Sequence, residues 1–314
     1  AVSRLISYAL FEGRPLTTRG QWINPLVFAL SGTLKALPQI KKVEKPIFII
    51  GMGRSGTTIL GVVMSMHRDV GFLNEPKALW HSIYPMEDVI GNYTLKDARY
   101  RLHTSDASEQ VRRDSHRLFG AYLAAVFSRR LVDKYPELVF RVPFVRAIFP
   151  DAKFVFITRN GWDVCSSVTS WSKDHSMSKA DEVHDWWGVN RRKWDIMLNE
   201  LVKTDKDLQE LARSVDSLVE HSDMSAVEWI VTMRKGLKQK KLNPGCIYTA
   251  KLEDLRERPG EVLGGILEFC ELEQDNVFLD YAEKTLKPTR ARDSFELDTS
   301  VRPLFEQTMK ELGY

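Results

Sequence analysis

The sequence predicts an α/β fold of three layers, with a mostly parallel central sheet and helices on both faces. Three observations predict it. Short apolar runs such as Ile47–Ile50 and Lys153–Thr158 lack the polar/apolar alternation of a half-exposed strand, so both of their faces are expected to be buried. Segments of helical period separate these runs, as crossovers between parallel strands require. The first run also ends directly in a glycine-punctuated loop, Gly51–Gly56, with a helix behind it.

Residues 1–44 precede the first strand and read as an N-terminal helical arm, and residues 45–314 read as the main domain. In the arm, Asn24-Pro25 is an N-cap and N1 pair and Pro38 a stop, which predicts a helix over 25–37. Its apolar face (Leu26, Val27, Leu30, Leu34, Leu37) is expected to pack on the main domain, with a second subunit or peripheral membrane contact as alternatives. Ile47–Ile50 is the first strand and Thr57–Met66 a helix. Val70–Leu73 is the second strand, ending in Asn74-Glu75-Pro76. A helix near 115–134 follows, then strands at Leu138–Val142 and Lys153–Thr158 and a helix from about Asp163. Residues 172–240 are charged, tryptophan-bearing and helical in period. Cys246–Ala250 is the last strand, with the helix Glu261–Cys270 after it.

Composition narrows the function class. Hydrophobic content of 43% and charged content of 28% over 314 residues are ordinary for a globular chain. A net charge of +3 gives no support to a nucleic-acid binder. The 3 cysteines are widely spaced with no CxxC, which indicates neither a disulfide framework nor a zinc site. Free thiols suit a reducing compartment, so a cytoplasmic location is expected. No run reaches the ~20 apolar residues of a membrane span. Neither Leu5–Phe11 nor Pro25–Leu30 is followed by a small-residue cleavage site.

Ligands of open α/β sheets bind at the carboxyl ends of the strands. After the first strand, Gly53, Arg54, Ser55, Gly56, Thr57 and Thr58 are placed to cradle an oxyanion with converging amides and a helix N-terminus. The loop begins as GxxxxG, like a nucleotide-triphosphate P-loop, but Thr57 stands where the lysine is expected. Arg54 is its one cation. Glu75 follows the second strand, Arg141 ends the third predicted strand, and Arg159 with Ser166 and Ser167 follows the fourth. These positions suit a multiply anionic donor with one candidate base beside it. A P-loop kinase or NTPase acting on a small molecule is the alternative.

GMGRSGTT (51–58) followed by FPDAKFVFITRNGWDVCSS (149–167) resembles the sulfotransferases that use 3′-phosphoadenosine 5′-phosphosulfate (PAPS). The resemblance implies a P-loop-like sulfotransferase architecture and PAPS as co-substrate, with 3′-phosphoadenosine 5′-phosphate (PAP) as product. It implies that the first motif holds the 5′-phosphosulfate and that Arg159 and Ser167 hold the 3′-phosphate. The later tyrosine-acid-acid-leucine element appears as Leu252–Leu255 without its tyrosine, and the closing LGY is similar to the family's end. The likeness is good over 45–171 and loose over 246–314.

Further roles follow from that resemblance. Arg54 neutralises the leaving 5′-phosphate. Arg141 stands two residues before Pro143, where similar enzymes often place a lysine, and is the second catalytic cation. Glu75, in its Glu-Pro context, is the general base, as in the tyrosylprotein and bacterial carbohydrate sulfotransferases. The cytosolic enzymes use a histidine instead, for which His67, His81 and His103 are the substitutes here. A helix cap is the alternative role for Glu75. Partial burial would put its pKa near or above the ~4.3 of an unperturbed glutamate. No metal is required, since arginines replace the Mg²⁺ of kinases. Arg290 and Arg292, in KPTRARD, either close over the 3′-phosphate or belong to an exposed loop. Trp80, Trp186 and Trp187 are expected near the acceptor, with 172–240 forming the acceptor side. That region lacks a long basic run, so a neutral sugar, glycolipid or hydroxylated small molecule is expected rather than a heparan-type polymer.

Overall fold

A computed structural model describes residues 2–179, 182–289 and 291–314. Its strands are β1 (Ile47–Gly51), β2 (Val70–Asn74), β3 (Arg130–Lys134), β4 (Lys153–Thr158), β5 (Met177–Lys179), β6 (Glu182–Asp185), β7 (Gly188–Val189) and β8 (Ile247–Lys251). The main sheet runs β2-β3-β1-β4-β8 and is parallel throughout. From β1 the chain goes outward to β2, returns through β3, and crosses β1 to reach β4. The strand order therefore reverses at β1, and a crevice opens there at the carboxyl edge.

The unbroken apolar strands are covered on both faces, as expected. Phe48, Ile50, Phe154 and Phe156 face one core, shared with the helices Glu109–Ala125, Val142–Ile148 and His221–Leu242. Ile47, Ile49, Val155 and Ile157 face the other, shared with Thr57–Met64 and Pro259–Cys270. This is the predicted α/β architecture.

Three expectations about elements are corrected. The helix placed near 115–134 ends at Ala125, and Arg130–Lys134 is the strand β3. Leu138–Val142 is no strand. Pro136–Phe140 is a buried 3₁₀ turn leading into the helix Val142–Ile148, which Pro143 starts. The region 172–240 is not helical throughout, because β5, β6 and β7 form a small antiparallel sheet within it.

The N-terminal helix spans Asn24–Ala36 and packs on the helices Lys77–Ile83 and Glu109–Ala125 of its own domain. Asn24 is not its cap. The side-chain Oδ1 accepts from Arg14 N at 2.7 Å and Nδ2 donates to Arg14 O at 2.9 Å, which ties the helix to the preceding segment. That segment covers the edge strand β2: Glu12 Oε1 accepts Asn74 N at 2.7 Å and Ser7 Oγ donates to Phe72 O at 3.1 Å. The segment before the first strand is thus tied to the sheet through Ser7 and Glu12, and its helix packs on the main domain as expected. Among the described residues no helix is long and apolar enough to cross a membrane.

Candidate active site

The cradle is built by an abrupt turn out of β1. Ser55 N donates to Met52 O at 3.2 Å, and the backbone is left-handed at Arg54 (φ 68°) and Gly56 (φ 90°). Glycine takes that conformation freely, whereas at Arg54 it costs on the order of 1–3 kcal/mol. A Cβ on Gly53 would lie 2.6 Å from the Trp186 ring, so the glycine lets the indole rest on the loop. Thr57 and Thr58 open the helix Thr57–Met64, where first-turn amides have no acceptor inside the helix. The Ser55 hydroxyl is fully buried and has no partner. Converging amides, an orphan hydroxyl and Arg54 fit a phosphate-type oxyanion.

The two sequence motifs, a hundred residues apart, meet here. Arg54 Nε donates to Ser167 Oγ at 3.0 Å, and Arg159 Nη1 donates to Arg54 O at 2.9 Å. Asn160 caps the helix Gly161–His175 by accepting Trp162 N at 3.0 Å, which leaves Ser167 free of a capping role. On the far side of Arg159 lies a groove of about 90 Å³, lined also by Asp163, Arg256 and Tyr314. Arg159 stands 3.6 Å from Asp163. Its pKa is pulled down by burial, with Asp163 and Glu253 opposing and nearby Arg256 and Arg292 adding to the fall. Arg159 and Arg256 thus share this groove with the carboxylates of Asp163, Glu253 and Glu257. Arg292 reaches the same place: its N donates to Asp163 Oδ1 at 2.7 Å and its Nη1 to Ser166 Oγ at 2.5 Å. Arg290 lies outside the described residues. Tyr314 OH donates to Glu253 Oε2 at 3.0 Å, bringing a tyrosine to the element that lacks one in sequence.

Glu75 is held by strand register. β2 and β3 pair Asn74 with Lys134, so the next residue projects beyond the sheet edge beside that lysine. Glu75 N donates to Lys134 O at 2.7 Å, with φ 49° at Glu75. Lys134 Nζ donates to Glu75 Oε1, and Lys77 Nζ lies 3.3 Å from Oε2. Burial would raise the Glu75 carboxyl, but the charges of Lys134 and Lys77 outweigh it and lower it to about 2. The expectation of a value near or above that of a free glutamate is overturned by these two lysines. The side chain keeps 35% of its surface open and lines the cleft. It does not cap the following helix.

Lys134 was missed by the sequence reading, which placed it at the end of a helix. The signal was present, because Lys134 stands two residues before Pro136, the spacing assigned instead to Arg141 and Pro143. Arg141 does not end a strand and does not line the cleft. Its side chain is 1% exposed, with Nη1 donating to Glu87 Oε2 at 3.0 Å, Nη2 to Glu87 O at 2.8 Å and Nε to Tyr100 O at 3.1 Å. Those bonds engage all three guanidinium nitrogens away from the cleft, so its catalytic assignment is corrected to a structural one.

The cleft between these groups holds about 470 Å³. Its floor is the cradle, and one wall carries Trp171 and Trp186. The turn between β6 and β7 sets Trp186 over the loop, and Glu228 Oε2 accepts its Nε1 at 2.6 Å. Trp80 and Trp187 are buried in the core instead. His67, His81 and His103 do not line the cleft. The opposite wall comes from the N-terminal segment, including Tyr8, Arg14 and Thr17, for which the sequence carried no periodic or motif signal.

Comparison with known proteins agrees with this fold. Sulfotransferase STF9 of Mycobacterium avium has a TM-score of 0.52 at 13% identity, covering 92% of this chain and 83% of that one. Sulfotransferase STF1 of Mycobacterium tuberculosis gives 0.51 at 14% identity, covering 99% and 90%. At such identities the likeness is one of fold. An uncharacterized protein of Aquifex aeolicus is 25% identical over 252 residues, 79% of this chain and 28% of its own length. The nodulation protein NoeE of Sinorhizobium fredii is 26% identical over 129 residues, 39% of this chain and 30% of its own. This chain thus spans under a third of either curated relative. The sulfotransferase family model matches residues 46–276, a stretch that holds the cradle, Glu75, Lys134, Arg159 and Ser167, and the chain belongs to that family.

Proposed function

We propose that the chain transfers the sulfuryl group of PAPS to a hydroxyl of a sugar, glycolipid or hydroxylated small molecule, with Glu75 as general base. The observation that carries this reading is the convergence, at one sheet edge, of the oxyanion cradle, the Arg159/Ser167 pair and the Glu75–Lys134 pair. A glutamate base is the feature shared with the carbohydrate and tyrosylprotein enzymes that the sequence resembles.

PAPS supplies the sulfuryl group and a leaving 5′-phosphate. The cradle amides, Ser55, Thr57, Thr58 and Arg54 hold the phosphosulfate end, and Arg159 with Ser167 holds the 3′-phosphate. Glu75 takes the proton of the acceptor hydroxyl as its oxygen bonds to sulfur and the sulfur–phosphate oxygen bond breaks. Arg54 and Lys134 meet the charge left on the 5′-phosphate, a role for fixed cations in place of a metal. A carboxyl lowered to about 2 is a poor base while both lysines hold it. An anion in the cradle competes for Lys134, weakens its grip on Glu75 and raises the proton affinity of the carboxylate. The base is thereby activated only when the donor is bound.

The test is transfer of a radiolabelled sulfuryl group from PAPS to a panel of hydroxylated acceptors, with the wild type and Glu75→Gln. Transfer is expected in the wild type and a ~10²–10⁴-fold lower kcat in the variant, the range of general-base contributions. An undiminished kcat in Glu75→Gln would remove the base from this scheme.

A further inference from the structure

The N-terminal wall of the cleft carries a buried cation with no counter-charge. Most charged side chains that line the cleft are paired: Arg4 with Glu12, Lys77 and Lys134 with Glu75, and Lys193 with Glu228. Arg54 belongs to the donor in the proposed reaction. Arg14 is left. It is only 4% exposed, yet among the described residues no carboxylate lies within ion-pairing distance of it. Its Nη1 donates to Gly13 O at 2.7 Å, and its guanidinium lies over the Tyr8 ring, 3.1 Å from the centroid. The backbone on both sides of Arg14 is clamped by the Asn24 amide. The cation is therefore positioned, and it faces a cleft.

Its surroundings supply donors rather than acceptors. Asn92, 8% exposed, also lines the cleft; its Oδ1 accepts Leu16 N at 3.2 Å while its Nδ2 is buried without a partner. The Tyr93 hydroxyl is buried and unpartnered beside Gly13. Asp88, the nearby acid in this loop, already accepts the backbone amides of Gly91, Asn92, Tyr93 and Thr94. A buried guanidinium without a counter-charge, beside a buried amide without an acceptor, suits an anion, because such groups are costly to bury unpaired.

We propose that Arg14, with the Asn92 amide beside it, binds a carboxylate of the acceptor, so that the preferred acceptor is a hydroxylated acid whose hydroxyl reaches Glu75 across the cleft. A planar guanidinium suits a carboxylate through paired N–H bonds. The identification of the ligand as acceptor rests on the sulfuryl-transfer reading; the anion site itself does not. It narrows the hydroxylated small molecules to acidic ones and gives residues 1–44 a part in specificity.

The probes are ω-hydroxycarboxylates of increasing chain length beside diols of the same length, since length reports the span from Arg14 to Glu75. Each is measured by PAPS-dependent transfer and by thermal unfolding with and without PAP, in the wild type, Arg14→Gln, Arg14→Lys and Asn92→Asp. In the wild type one length is expected to favour the acid over the diol by about 10- to 100-fold, the worth of a hydrogen-bonded charge. Arg14→Gln should bring that ratio near one, Arg14→Lys should retain part of it, and Asn92→Asp, which puts a negative charge at the subsite, should abolish it. PAP should still shift the unfolding midpoint of each variant, showing a folded donor site. Equal acid and diol at every length in the wild type, or an unchanged ratio in Arg14→Gln, would overturn the subsite. If PAP does not bind and no acceptor is sulfated, the sulfuryl-transfer reading falls. Stabilisation by a hydroxy acid that is lost in Arg14→Gln would then still establish the anion site.

Discussion

Replacing Lys134 by methionine probes the link between base and donor. Lys134 is the larger of two attractions that hold Glu75 at about 2 against burial. The other, Lys77, stands at 3.3 Å. A unit pair at that distance interacts by roughly 5 kcal/mol at an effective dielectric near 20. Solvent reaching the open 35% of Glu75 screens this to a fraction, so Lys77 alone cannot maintain the full depression. The Glu75 carboxyl in Lys134→Met should therefore titrate higher, toward a free glutamate. The sign is definite. A carboxyl lowered on folding stabilises the native state above its unfolded value and loses that contribution as the pH falls toward about 2. In the variant this acid loss should begin at the same pH, be complete at a higher pH and be smaller. Removal of the cation from the leaving oxygen should also lower kcat by ~10²–10³, the usual cost of one transition-state donor. Carbon-13 titration of the Glu75 carboxyl and the acid limb of kcat/KM read the first effect, and saturating kinetics read the second. A carboxyl still near its original value, with kcat within about threefold of wild type, would refute the reasoning.

Other perturbations separate donor binding, structure and pH response. Arg159→Ala should weaken PAP binding far more than Glu75→Gln does, and equal losses in calorimetric titration would contradict that division of labour. Arg141→Met should act on stability rather than chemistry: breaking a buried pair costs about 3–5 kcal/mol, visible in the denaturant midpoint. A folded Arg141→Met protein with a selective loss of kcat would restore Arg141 to the catalytic set. Asp133 is raised by burial to about 8, with the Trp80 hydrogen bond opposing. A carboxyl raised on folding contributes stability that is full below its unfolded value and is lost as pH rises through about 8. Asp133→Asn keeps an acceptor for Trp80 Nε1, now 2.8 Å from Asp133 Oδ2, and should lose less of its melting temperature between pH 6 and 9. Superimposable profiles would contradict this.

What the sequence disclosed depended on how local the information was. The cradle and the Arg159–Ser167 spacing lie each within one strand–loop–helix unit, so residue order alone located them. β3 was hidden because Arg130–Lys134 is only 5 residues with charges at both ends, and the preceding helical period ran into it. Lys134–Pro136 and Arg141–Pro143 share one spacing, and only the pairing of Asn74 with Lys134 tells them apart. The low carboxyl value of Glu75 has the same origin, since Lys134 is 59 residues distant in sequence. Trp186 and Trp187 are adjacent, yet one lines the cleft and the other is fully buried. Composition could not separate them, because a two-residue turn between short strands makes the choice. The N-terminal wall depends on long-range contacts to β2 and the 88–94 loop, which leave no periodic trace.

Thermal unfolding with PAP, beside ATP–Mg²⁺ and 5′-AMP, tests the central reading most directly. A ligand at ~100 times its Kd adds about 2.7 kcal/mol of stability, enough to move the midpoint clearly. Stabilisation by PAP, with much less from 5′-AMP and none from ATP–Mg²⁺, is the expected result, and it should diminish in Arg159→Ala. A shift with ATP–Mg²⁺ and none with PAP would contradict the PAPS assignment and turn the site over to phosphoryl transfer.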